Sequence, residues 1–269
     1  MAAGGGERRL VFDVRGRRKH VVRVVYAILA LLMMSSLFFV VGPFNLGSLL
    51  GRGGTTSAAK VLDEQAERIE RRLASDPKNA PLLLSLARTR ISAGNARVER
   101  DPTTGAPKTT PEAGAEYEQG TRAWNRYLAQ AGSRPSPTAA LLVAGTYFSL
   151  AQAGSSTAQI DANVKKAAAT QRIAAEATPN VGSLSTLAIY EYFSGDFAAG
   201  DSAAKRAESK APSKTEAKSI ERQLGEYRKR GKAYEKQKRQ FAKLEKKKGK
   251  EALQNPLGGL GGASTGLGP

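Results

Sequence analysis

Catalysis by side chains needs a nucleophile, an acid–base pair or a metal cage, and this chain is poor in the residues that build them. It has no cysteine and a single histidine, His20. That removes disulfides, thiolate nucleophiles, most metal cages and histidine-based triads. Acidic residues are scattered, and no spaced pair stands out from ordinary charge patterning. Two Gly-rich stretches imitate nucleotide loops without their working parts. Residues 51–57, GRGGTTS, lack the Gly-Lys-Ser/Thr of a phosphate loop, and residues 259–268, GLGGASTGLG, follow no strand. The sequence predicts no enzymatic activity, no catalytic residue, no cofactor and no bound metal.

Positive charge is what the chain has in excess, a formal net +18 over 269 residues. It sits at two ends. Residues 7–23 hold seven Arg/Lys against Glu7 and Asp13, and residues 214–250 hold fifteen against five Glu. The stretch between is nearly balanced, so each basic end needs its own explanation.

The first end flanks an anchor. Val24 to Val41, VVYAILALLMMSSLFFVV, is free of charge. Its eighteen residues span roughly 27 Å as a helix, about the thickness of a bilayer core. Residues 21–42 are expected to form one transmembrane helix, ended by Gly42-Pro43. A cleaved signal peptide and a buried core helix are the competing readings, disfavoured by length and by the all-round apolar surface. Arg17-Arg18 lacks the neighbours of a twin-arginine signal. The arginines before the span put residues 1–20 in the cytoplasm as a basic tail, and everything after residue 43 outside the cell membrane.

Residues 43–57 read as a linker, and apolar periodicity of helical type then fills 58–214. Val61, Leu62, Ala66, Ile69 and Leu73 mark a first helix from about Ser57. A second covers about 80–93, and residues 97–112 form an irregular insert. Further helices are expected over about 112–130, 138–152 and 161–177, the last two joined by a loop of about eight residues. A final pair surrounds Gly195-Asp196-Phe197.

Residues 181–214 resemble a tetratricopeptide (TPR-like) repeat, the 34-residue helix–turn–helix unit. Leu184, Leu187 and Ala188 stand where the family's first helix wants them, and Gly195, Asp196 and Phe197 make the turn. Gly200, Ala204 and Ala207 are the small residues of the second helix, and Pro212 closes the unit. Leu83, Leu86, Ala87 and Gly94 repeat the first helix, with Tyr117, Gly120 and Trp124 as its displaced second. Leu141, Gly145 and Phe148, then Val164, Ala167, Ala174 and Pro179, give the middle unit. Arg90 and Glu191 stand where the family's first helix carries an aromatic. An unrelated helical bundle is the other reading. The resemblance implies an all-α superhelix of about three helix pairs, with a concave groove that takes a protein partner. Placed on that geometry, the groove presents Leu84, Arg88 and Ser92; Leu142, Thr146 and Ser149; and Ile189, Tyr192 and Phe193.

Residues 215–250 are expected to form a basic capping helix, with Ile220, Tyr227, Tyr234 and Phe241 recurring every seven residues, and 251–269 a Gly-rich disordered tail. Two functions follow. The first is a membrane-anchored adaptor or scaffold that binds a protein partner in the cell envelope, in export or membrane-complex assembly. The second is a structural envelope protein whose basic helix grips anionic lipid or cell-wall polymer. The topology makes nucleic acid an unsuitable partner.

Overall fold

The computed structural model describes residues 55–254 except 104, 106 and 155. The expected span at 21–42, the basic tail before it and the Gly-rich segment from 255 lie outside the described residues. Among those described, no helix is long and apolar enough to cross a membrane.

Eight helices follow one another: α1 (Thr55–Ser75), α2 (Ala80–Asn95), α3 (Pro111–Leu128), α4 (Pro137–Ala153), α5 (Thr157–Ala177), α6 (Val181–Ser194), α7 (Phe197–Ser209) and α8 (Lys214–Gln254). Each packs against the next in sequence, and the tightest associations are the hairpins α2–α3, α4–α5 and α6–α7. The fold is all-α, a stack of adjacent helix pairs compatible with a helical repeat. The core is a strip along the stack, running from Ala66 and Ile69 of α1 to Leu224 and Tyr227 of α8.

Local chemistry sets the boundaries. Asn79, Thr110, Ser136, Ser156, Asn180 and Asp196 each accept a backbone N–H of the helix that follows, worth about 1 kcal/mol apiece. Ser156 starts α5 four residues before Asp161, so the eight-residue loop expected there shrinks to residues 154–156. In the insert, Glu99–Arg100 (β1) and Pro107–Lys108 (β2) pair antiparallel as a minimal hairpin. The helical backbone of α8 runs on to Gln254, past the expected end of the basic helix.

Counting from the caps exposes the repeat. Four, seven and eight residues after Asn79, Ser136 and Asn180 lie Leu83, Leu86 and Ala87; Ala140, Val143 and Ala144; and Leu184, Leu187 and Ala188. All nine are at most 5% exposed. The first and third sets match the sequence expectation. The middle helix is shifted by one residue: Ala140, Val143 and Ala144 are inside, while Leu141 is 43% exposed. Ser136 explains the shift, because the cap and not the largest side chain fixes where the helix begins.

Close crossings depend on glycine. A Cβ on Gly120 would lie 2.7 Å from Ile91, and one on Gly200 would lie 2.5 Å from the Tyr192 ring. The Tyr192 ring is buried and its hydroxyl donates to Asp201 at 3.0 Å, so it has no room to yield. Gly195 ends α6 with φ +90°, a left-handed C-cap that suits glycine. Ala207 is fully buried, Phe197 is stacked on Tyr192 with centroids 6.3 Å apart, and Pro212 is exposed in the turn before α8.

Two alanine substitutions therefore carry opposite signs. In α7, Gly200→Ala gains about 1 kcal/mol of helix propensity but overpacks a closed seam at a cost of about 1–3 kcal/mol; the expected outcome is a lower Tm. In α8, Gly225 has open space around its Cβ position, so Gly225→Ala is expected to raise Tm by about 2–4 °C. Thermal unfolding of the two variants by circular dichroism checks both signs.

Candidate functional site

The first helices α2, α4 and α6 lie in sequence along one face. Eleven residues after each cap stands a buried polar or charged side chain that reaches the helix before it. Arg90 Nη2 donates to Glu70 of α1 at 2.8 Å, and its Nη1 donates to Glu116 of α3 at 3.2 Å. Tyr147 donates its hydroxyl to Asn125 of α3 at 3.1 Å. Arg172 of α5 donates to Glu191 at 2.5 Å. Three equivalent positions thus hold Arg, Tyr and Glu, each tied to the preceding second helix.

Burial is the largest single influence on Arg90 and Tyr147, and at Arg90 it is overcome. Burial lowers the Arg90 pKa, but hydrogen bonds and charge from Glu70 and Glu116 outweigh it, and the net shift is upward. The Tyr147 phenol is pushed up by burial, against hydrogen bonds from Asn125 and Thr121. Tyr117, packed against Gly94, is pushed up by burial to about 12. None of these groups is poised to exchange a proton near neutrality. Among the described residues, no three His, Asp or Glu side chains gather as a metal site would require.

The face itself is nearly free of charge. α4 carries no charged residue, α6 only Glu191, and α2 only Arg88 and Arg90. Since Glu191 and Arg90 are buried in ion pairs, Arg88 is the one exposed charge on these three helices. It donates to Ser136 Oγ at 3.2 Å. Of the positions five and nine after the caps, all but Ser185, which is buried, are exposed or half-buried. Those positions are Leu84 and Arg88, Leu141 and Gly145, and Ser185 and Ile189.

Of the residues expected in a groove, Arg88 is exposed, and Leu84, Ser92, Leu142, Ser149 and Ile189 are half-buried. Three are corrected. Thr146 is 4% exposed and donates back to Leu142 O at 2.9 Å. Tyr192 and Phe193, at 2% and 6%, are closed off by their own chain: Tyr192 by Gly200 and Gly231, Phe193 by an edge contact with Tyr234 of α8. These aromatics hold the capping helix and are not offered to a partner.

Where α8 meets α6, it leaves a cleft of about 70 Å³ lined by Phe148, Val181, Ser185, Ile189, Ile220 and Tyr227 among others. The stacked rings of Phe148 and Tyr190, centroids 4.7 Å apart, link α4 to α6 beside it. The sequence reading missed the contribution of α8 to this wall. It also missed Leu141 on the open side, which the cap at Ser136 could have revealed.

No family model, no curated protein and no solved structure matches this chain.

Removing one member of a buried ion pair leaves the other charge stranded, at a cost of about 3–5 kcal/mol. Glu116 is 11% exposed at its side chain. Arg90→Met is expected to destabilise the fold toward the lower end of that range, because Glu70 is half in solvent. Adding Glu116→Gln should restore part of the loss. Urea denaturation of both variants checks the order; equal stability of Arg90→Met and the unsubstituted chain would refute the burial argument.

Proposed function

We propose that this chain is a membrane-anchored, TPR-like adaptor, held by residues 21–42 with its helical domain outside the cell membrane, that binds a protein partner without performing catalysis. The observation that carries the reading is the face of α2, α4 and α6, on which Arg88 is the one exposed charge. Leu84 and Leu141, five residues after their caps, and Ile189, nine after its own, lie outside the centre of the core, and Ile189 lines the apolar cleft against α8. Apolar side chains lining a concavity are the usual basis of recognition, and scattered exposed ones are not.

The tetratricopeptide resemblance is supported by three features. They are the buried Leu-x-x-Leu-Ala registers of α2 and α6, the Gly-Asp-Phe turn between α6 and α7, and the small residues Gly120, Gly200 and Ala207 at the crossings. Membrane anchoring is supported by the uncharged stretch at 24–41 and the arginines before it. On this reading the partner acts in export or membrane-complex assembly, in keeping with a domain held at the outer face of the membrane.

The test is position-specific photocrosslinking of the full chain in native membranes. A crosslinker at Arg88, Leu141 or Ile189 is expected to capture one and the same polypeptide. Crosslinkers at Arg122 and Lys205, exposed on the second helices α3 and α7, should not. Equal capture from both faces, or none from the first-helix face, would remove the groove reading. An Ile189→Asp substitution should cut the Leu141 adduct about tenfold, since burying a carboxylate in an apolar contact costs more than 1.4 kcal/mol.

A further inference from the structure

The geometry points to a second membrane contact: the free end of α8, residues 239–254, docks on anionic phospholipid headgroups of the same membrane that holds the anchor. This rests on the anchor reading above.

The direction of α8 is fixed by its contacts. Ile220 and Leu224 line the cleft beside Val181 and Ser185 near the start of α6. Gly231 lies against the Tyr192 carbonyl, Tyr234 against Phe193, and Glu235 against Gly195 just past the end of α6. α8 therefore runs parallel to α6. Lys238 donates to Asp161 in the opening turns of α5 at 2.8 Å, so α8 is there level with the C-terminal ends of the first helices. Sixteen helical residues remain, an overhang of about 24 Å.

The chain enters the fold at that same end. α1 is antiparallel to α2: Asp63 pairs with Arg97 just after α2, and Glu70 pairs with Arg90 within it. Thr55 lies eight residues before Asp63, about 12 Å further out. Residues 43–54 separate Thr55 from the expected membrane exit and span at most about 40 Å. A surface that holds residue 42 is thus within the reach of the overhang.

Charge completes the case. In the docked half of α8, Arg228 binds Asp201 through both Nε and Nη2, and Lys238 binds Asp161 and Glu235. Beyond it the sequence supplies Arg239, Lys243, Lys246, Lys247, Lys248 and Lys250 against Glu245 and Glu251. Arg239 and Lys243 are exposed. A tethered polybasic segment needs little intrinsic affinity, because the anchor supplies a high effective concentration of lipid. The contact would lay the first-helix groove along the surface of the membrane.

The absence of cysteine allows a single reporter. Gly249→Cys in the full chain, fluorescently labelled, is reconstituted into vesicles carrying a headgroup quencher. One set is phosphatidylcholine alone; the other contains phosphatidylglycerol. Quenching is expected to be several-fold stronger with phosphatidylglycerol. It should fall to the neutral-vesicle level in about 1 M salt, where the Debye length is about 3 Å. It should also fall with Lys246, Lys247, Lys248 and Lys250 changed to Gln. Retention of the chain through alkaline carbonate reports the anchor separately. Retention with quenching indifferent to lipid charge overturns the headgroup contact and spares the anchor. So does quenching that an added anionic cell-wall polymer abolishes in favour of its own binding. A chain stripped from both vesicles by carbonate overturns the anchor, and with it the tethered contact.

Discussion

Two helices can approach only as closely as the side chains between them permit, and this fold is built where those side chains are nearly absent. Ala87, Ala144 and Ala188 occupy the same place in the three first helices and are completely buried. Gly120 and Gly200 answer from the second helices, where one more carbon would strike a neighbour. Tight seams bring backbones together and let dispersion act over long contacts. They also fix how closely each first helix lies on its second, Gly120 against Ile91 and Gly200 against Tyr192.

The polar rung eleven residues after each cap answers a different demand. An aromatic there would fill the seam by volume alone. Tyr147 keeps that solution and adds a hydrogen bond; Arg90 and Glu191 replace it with ion pairs to the preceding helix. Burying a charge is costly unless partners are placed to receive it. The three rungs join Arg to two Glu, Tyr to Asn, and Glu to Arg, so no two units offer the same complement. A first helix set against the wrong second helix would meet a like charge or a group without a partner. The rungs specify the order of stacking where the alanine seams, being alike, do not.

The sequence disclosed the helices and most of the packing because apolar spacing and capping residues act locally. Leu184, Leu187, Ala188 and the Gly195 turn were readable as a unit. The middle helix was misread by one residue because Leu141 is the larger side chain, whereas the cap at Ser136 decides the register and turns Leu141 outward. Tyr192 and Phe193 were misassigned for a non-local reason. α7 closes over the Tyr192 ring through Gly200 and Phe197, and α8, which begins twenty residues later, covers Phe193 through Tyr234; nothing in α6 itself reports either path. The ion pairs of Arg90 and Glu191 likewise join residues 19 to 26 apart, beyond the reach of any periodicity.

Charge is segregated in this molecule, and the segregation has a mechanical meaning. The second helices α1, α3, α5 and α7 carry eleven carboxylates and eleven Arg/Lys, and α8 a further fifteen Arg/Lys; the first helices present one exposed arginine. A face with one exposed charge exerts little pull beyond contact distance. The basic α8 acts at longer range, and two of its fifteen Arg/Lys, Arg228 and Lys238, are committed to Asp201 of α7 and Asp161 of α5, which hold it over Tyr192 and Phe193. Asp201 and Asp161, each on a second helix, therefore decide where α8 lies against the stack.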